Sequence, residues 1–98
     1  MILVLGGEKG GSGKSCIAQN LAVWLQRKGN DVLLLDADPQ GTSVDWARER
    51  EQNPNLQDLQ VESAHGDIRK TLLDRAKRYE AIVVDAGGAD SVALRSAL

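Results

Sequence analysis

The chain has 98 residues, a length typical of a single domain. Apolar residues make up 42% and charged residues 27%, which excludes an intrinsically disordered chain. The net charge of −2 excludes a polybasic nucleic-acid arm as the main feature, and the single cysteine excludes a disulfide-stapled secreted mini-protein. No apolar run is long enough for a signal peptide or a membrane span, so we expect a cytoplasmic protein.

The beginning of the chain alternates between strand and helix patterns. Residues 2–5 are continuously apolar and predict a buried strand of a parallel sheet. Residues 14–28 follow a helical period, and Gly29 is a typical helix stop. The side chains expected to form the buried face of this helix are those of Ile17, Leu21, Trp24 and Leu25, with Ala18 and Ala22 beside them.

The alternation continues to the end of the chain. The later predicted elements are a strand at 31–36, a helix at 43–51, a weaker strand at 56–63, a helix capped by Asp67, a strand at 81–85 and a further helix from 89 to 98. This order predicts an α/β fold with a mainly parallel sheet between helical layers. Trp24 and Trp46 are expected to be packing residues, with a partner surface as the alternative for Trp46. We expect a single domain over residues 1–98, the N-terminal portion of a longer protein, because the last helix pattern stops without a cap.

The segment 6–15 is the strongest functional signal and reads Gly-Gly-Glu-Lys-Gly-Gly-Ser-Gly-Lys-Ser. It connects the first predicted strand to the first predicted helix. Glycines let successive backbone N–H groups turn toward a phosphate, and a helix N-terminus adds unpaired donors and partial positive charge. Lys14 is predicted to reach the β- and γ-phosphates, and the Ser15 hydroxyl to ligate Mg²⁺. The alternative is a structural glycine turn that binds no nucleotide.

With Lys9 included, this segment resembles the pattern K-G-G-x-G-K-[S/T] of the deviant Walker A ATPases. The resemblance implies a P-loop NTPase fold with ATP and Mg²⁺ as cofactors. It also implies that Lys9 is the signature lysine, which in this family crosses a dimer interface to the phosphates of the other subunit. The nucleotide-binding residues that it implies are Gly10, Gly11, Ser12, Gly13, Lys14, Ser15 and Cys16. Cys16 stands where many relatives carry Thr or Ser.

A second motif, Asp-Ala-Asp-Pro-Gln-Gly-Thr, follows the second predicted strand. Carboxylates at the C-terminal end of a parallel strand lie where α/β sheets bind ligands. The motif resembles the corresponding segment of ParA-type ATPases, which implies that Asp38 orients or activates the attacking water. Asp36 is expected to support either the magnesium ion or the loop. From the residues alone a solvated turn is the alternative, because Asp, Pro and Gly are common in turns.

A third motif, Ile-Val-Val-Asp-Ala-Gly-Gly, covers residues 82–88. It resembles a Walker B strand with its switch loop. The resemblance implies that Asp85 holds Mg²⁺ through a water molecule. It also implies that Gly87 and Gly88 let the loop move with the γ-phosphate. The predicted metal ligands are therefore Ser15, Asp85 and Asp36.

Taken together, the three motifs most resemble the small partition ATPases of bacterial plasmids. The resemblance implies an ATP-hydrolysing protein with Lys9, Lys14 and Asp38 as catalytic residues, whose MgATP-dependent homodimer drives DNA segregation. The implied partners are a second copy, a centromere-binding adaptor and non-specific DNA, bound through regions largely outside this chain. One alternative is a MinD-like or other deviant Walker A ATPase with a different cargo. Another is a non-catalytic nucleotide-binding fragment.

Overall fold

A computed structural model describes residues 1–6, 12–38, 41–65 and 67–87, with the backbone alone described at 6, 12–16, 42 and 87. The described elements are β1 (Ile2–Gly6), α1 (Ser12–Arg27), β2 (Val32–Asp36), α2 (Thr42–Glu51), β3 (Gln60–Ser63), α3 (Arg69–Ala76) and β4 (Ala81–Gly87). The predicted alternation is confirmed over these ranges. The helix predicted from residue 89 lies outside them.

The strands form one four-stranded sheet in the order β1-β4-β2-β3. Every neighbouring pair is parallel, which confirms the predicted α/β class. The last of the described strands in sequence, β4, lies between β1 and β2. Asp36 at the end of β2 is the register partner of Asp85 in β4. Two motifs that lie far apart in the sequence therefore meet at one edge of the sheet.

The core occupies both faces of this sheet. On one face, α1 packs against side chains such as Leu34 of β2 and Val83 of β4. On the other face, α3 packs through Leu72 against Leu35 and neighbouring side chains. Successive side chains of a strand point to opposite faces, so a strand covered on both sides is apolar throughout. The continuous apolar patterns of β2 and β4 have this cause.

The buried face of α1 differs from the prediction. Ala18 and Ala22 are fully buried, whereas Ile17 and Trp24 are 56% and 54% exposed. The expectation that Ile17 and Trp24 are packed is therefore wrong. The helix approaches the sheet through its small residues, which bring the two backbones closer than larger side chains would allow. The exposed Trp24 ring has the ammonium group of Lys28 over one face, 5.4 Å from its centroid.

Two predicted boundaries also move. Strand β3 is shorter than the predicted 56–63 and begins at Gln60. Helix α3 begins at Arg69, and Asp67 caps it one residue further out than a usual N-cap, accepting the Arg69 N–H at 3.1 Å. Hydrogen bonds from Arg69 lower the pKa of Asp67 to about 2. Trp46 agrees with the prediction, since it packs against the core on the α1 face of the sheet.

Candidate functional site

The candidate site lies at the carboxyl ends of β2 and β4. Asp36 and Asp85 are fully buried there, and Asp38, just after β2, is 6% exposed. The structure thus brings together all three predicted acidic residues. Their negative charges are close enough that those of Asp85 and Asp38 both act on Asp36. A site with this charge favours a cation.

The predicted phosphate-binding residues fall partly within the described chain. Helix α1 begins at Ser12, so 12–16 form its first residues, described by their backbone alone. This start gives Lys14 and Ser15 the first-turn position that the motif predicts. Lys9, Gly10 and Gly11 lie outside the described residues, as does Gly88. Their predicted roles, and those of the side chains at 12–16, stay predictions.

Asp36 is held by two backbone donors. Its Oδ1 accepts the N–H of Asp38 at 3.0 Å, and its Oδ2 accepts the N–H of Val44 at 2.9 Å. Val44 is in the first turn of α2, where N–H groups have no partner within the helix. The residue at the N-cap position is Gly41, which has no side chain that could accept a hydrogen bond from these N–H groups. Asp36 therefore caps α2 from the neighbouring strand, which favours the loop-supporting alternative among its predicted roles.

The environment of Asp36 opposes its ionisation. Burial raises the pKa of Asp36 above 3.8, and the charges of Asp85 and Asp38 raise it further. The N–H groups of Val44 and Asp38 lower the pKa but do not offset the burial. The folded chain therefore binds this proton more tightly than the unfolded chain does.

This shift predicts a pH-dependent stability. Above pH 3.8 the unfolded state loses the Asp36 proton first, so the free energy of unfolding falls as pH rises from there through the higher folded pKa. Asp36→Asn removes the titrating group, so its free energy of unfolding is expected to lack this fall. Urea denaturation from about pH 4 to about pH 7 measures it.

The exposed Asp58 offers a matched control for that measurement. Asp58→Asn is expected to keep the pH dependence of the unmodified protein. Parallel curves for the unmodified protein and Asp36→Asn would contradict the assignment of the shift to Asp36.

Two further residues, Gln19 and Ser43, belong to the site although the motifs did not identify them. The Ser43 hydroxyl donates to Oδ2 of Asp85 at 2.6 Å. Ser43 Oγ in turn accepts from Nε2 of Gln19 at 3.2 Å. One sequence signal was available, because Gln19 follows Ser15 by four residues and so lies on the same face of α1. Ser43 carried no such signal, since its contact with Asp85 is made only in the folded chain.

The chemistry of this edge fits a hard divalent cation bound together with an anion. Carboxylate oxygens favour Mg²⁺, and a helix N-terminus favours phosphate. Among the residues that the structure describes, no group of three or more His, Cys, Asp or Glu side chains is arranged to hold a metal ion. Mg²⁺ commonly keeps several waters and takes substrate phosphates as ligands, so few protein ligands are needed. Within the same described ranges, no helix is long and apolar enough to cross a membrane.

The parallel sheet and its acidic edge define an α/β domain of the nucleotide-binding class. Residues 3–95 match the CobQ/CobB/MinD/ParA nucleotide binding domain. The chain belongs to this family, which confirms the resemblance found in the three motifs.

The chain spans less than half the length of the curated relatives that it matches. It is 36% identical over 100 residues to the chromosome-partitioning ATPase Soj of Thermus thermophilus, covering 98% of this chain and 40% of Soj. It is 56% identical over 43 residues to an iron-sulfur cluster carrier protein of Aquifex aeolicus, covering 44% of this chain and 12% of the carrier. A plasmid partition protein from Borrelia burgdorferi has the same fold, with a TM-score of 0.74, 23% identity and coverage of 98% of this chain and 59% of that one.

Proposed function

We propose that this chain is the nucleotide-binding part of a partition ATPase that binds and hydrolyses MgATP. One observation carries the proposal: Asp36, the last residue of β2, is the buried register partner of Asp85 in the adjacent parallel strand β4, so the second and third motifs meet there. The likeness to Soj over nearly the whole chain supports the partition branch.

The side chains at this edge suit the two cofactors. ATP phosphates would lie against the N–H groups of residues 10–16, with the Lys14 ammonium on the β- and γ-phosphates. Mg²⁺ would be held by the Ser15 hydroxyl and, through water, by Asp85; when bound, it offsets negative charge on the phosphates. Hydroxyl and carboxylate oxygens are ligands that Mg²⁺ prefers. Asp36, which caps α2, would fix the loop around Asp38.

The proposed reaction is in-line attack of water on the γ-phosphorus, with cleavage of its bond to the β–γ bridging oxygen and departure of ADP; phosphate and a proton are the other products. Asp38 would hold the attacking water and orient its lone pair toward phosphorus. Lys14 in the same subunit, and Lys9 from the other, would offset the negative charge that develops on the transferred group. A cation that arrives only in the dimer makes hydrolysis depend on assembly.

The proposed cellular role follows from that dependence. The MgATP-bound protein would form a homodimer that binds DNA non-specifically at the nucleoid, in the cytoplasm. A centromere-binding adaptor would then stimulate hydrolysis and return the protein to the monomer. The nucleotide state would thereby control association with DNA.

Lys9→Ala tests the role of the partner subunit. ATP affinity is expected to stay within about threefold, while kcat falls by about 10³-fold, the lower end for a cation supplied in trans. Calorimetric titration with a slowly hydrolysed ATP analogue measures binding, and phosphate release measures turnover. Lys70→Ala, at an exposed position of α3, is the matched control and should leave both quantities unchanged.

A mixing experiment separates action in trans from action in cis. Lys9→Ala and Asp38→Ala subunits are each expected to be inactive alone. In a mixed dimer, the pocket that retains Asp38 receives Lys9 from the other subunit, so mixing should restore part of the activity. Continued inactivity of the mixture, with dimers present, would contradict the trans role.

The match to the iron-sulfur cluster carrier favours a second candidate, an ATPase of this family with a different cargo. The chain has a single cysteine, Cys16, so cluster ligation would need cysteines outside this sequence. Salt-dependent DNA binding by the ATP-bound protein supports the partition function. Reconstitution of a stable cluster without DNA binding would support the carrier instead.

A further inference from the structure

A buried chain of side chains joins α1, α2 and β4 beside the proposed magnesium site. The Gln19 amide donates to the Ser43 hydroxyl, and the Ser43 hydroxyl donates to the Asp85 carboxylate. Gln19 is 8% exposed, and the other two are fully buried. A hydroxyl has one proton, and a carboxylate can only accept it, so the direction of donation is fixed as amide to hydroxyl to carboxylate.

The bond to Asp85 is the stronger of the two. Its length of 2.6 Å lies in the range of charge-assisted O–H···O⁻ bonds, which are about twice as strong as neutral ones. Gln19, on α1, donates to the same hydroxyl. Because the hydroxyl is held from both sides, it has little freedom to rotate. The orientation of the Asp85 carboxylate is restricted in turn.

The same turn of α2 also contacts the neighbouring strand. Ser43 binds Asp85 through its side chain, and the next residue, Val44, binds Asp36 through its backbone N–H. The first turn of α2 is thus tied to the ends of both β4 and β2. Movement of this turn would therefore move the Asp85 carboxylate.

We propose that Ser43 is a positioning residue, which with Gln19 holds the Asp85 carboxylate in the orientation that binds magnesium–nucleotide. This inference rests on the proposed function, because it assigns a role toward the cation of that site. Groups that orient a metal-binding carboxylate contribute strongly to metal affinity while touching no metal themselves. In this proposal Ser43 acts through its hydrogen bond to Asp85.

The test separates a role toward the metal from a role in packing alone. Affinity for a slowly hydrolysed ATP analogue is measured by calorimetry in Mg²⁺ and again in excess chelator. Ser43→Ala is expected to reduce the affinity gained from Mg²⁺ by about 10–100-fold. Affinity in chelator should change less than about twofold, since the phosphate contacts from α1 remain. Electron paramagnetic resonance of Mn²⁺ bound to the protein–nucleotide complex gives a second, spectroscopic readout.

Three variants control the experiment. Ser63→Ala removes an exposed serine from β3 and should leave both affinities unchanged. Ser43→Thr keeps the hydroxyl and should restore most of the Mg²⁺-dependent gain. Gln19→Met keeps the side-chain volume but removes the donor, and should weaken the gain less than Ser43→Ala does. Gln19→Met also tests the relay if Ser43→Ala does not fold.

Each outcome decides the inference. Selective loss of the Mg²⁺-dependent gain, with rescue by threonine, supports it. Equal weakening with and without Mg²⁺, or no change, contradicts it and leaves Ser43 as a packed hydroxyl. If the unmodified protein binds no nucleotide in either buffer, the proposed function fails and the inference fails with it.

Discussion

Lys14→Ala is expected to abolish measurable ATP binding. The ammonium is predicted to contact two phosphates at the start of α1, where a lost charged partner weakens binding by roughly 100-fold or more. Calorimetric titration with Mg²⁺ and a slowly hydrolysed ATP analogue measures the loss, and circular dichroism checks that the variant is folded.

A lysine directly after the same helix provides the control for Lys14. Lys28 lies against Trp24 near the other end of α1, and Lys28→Ala should bind the analogue as the unmodified protein does. Unchanged affinity of the Lys14 variant would contradict the phosphate-binding role of the whole segment.

Asp38→Ala is expected to lower kcat by about 10²–10⁴-fold, the usual range for loss of a general base. ATP binding should persist, so an ATP-bound dimer is expected to accumulate, visible as a doubled mass in light scattering. The substitution keeps the backbone N–H that Asp38 donates to Asp36, so the loop retains this hydrogen bond. The cap on α2 is expected to survive. The fall in kcat can then be assigned to removal of the Asp38 carboxylate.

The exposed Asp58 supplies the matched control here too. Asp58→Ala should hydrolyse ATP and dissociate as the unmodified protein does. A monomeric Asp38→Ala protein under saturating MgATP would contradict its predicted behaviour, and undiminished turnover would exclude Asp38 as the group that holds the water.

The element pattern was largely predictable because hydrophobic period and glycine placement act locally. The apolar run of β2 and the helix stop at Gly29 both appear where the sequence indicated. Gly29 adopts a φ of 95°, a left-handed conformation that suits glycine at a helix end. The buried face of α1 was predicted less well, since the helical period identifies apolar positions but not how closely the helix approaches the sheet. Ala18 faces the sheet and Trp24 does not.

The contacts within the site were the least predictable part. The motifs indicated that Asp36 and Asp85 matter, because each follows an apolar strand pattern. They gave no sign that Asp36 caps α2 or that Ser43 binds Asp85. Both contacts join segments that are distant in sequence and depend on which strands are neighbours. The order of strands in the sheet decides which segments lie next to each other in space. The periodicity of a single strand carries no information about that order.

The position of β4 has a consequence for the assembly of the chain during synthesis. Strands β1 and β2 do not pair with each other, since each pairs with β4 across an interface that only residues 81–87 can fill. A chain that has emerged from the ribosome only as far as the residue before Ala81 therefore cannot join β1 and β2 in one sheet as they are joined in the folded protein. Contacts between residues so far apart in sequence form late and slowly. Asp36 and Asp85, which are register partners, can therefore become neighbours only once β4 has been added between β1 and β2.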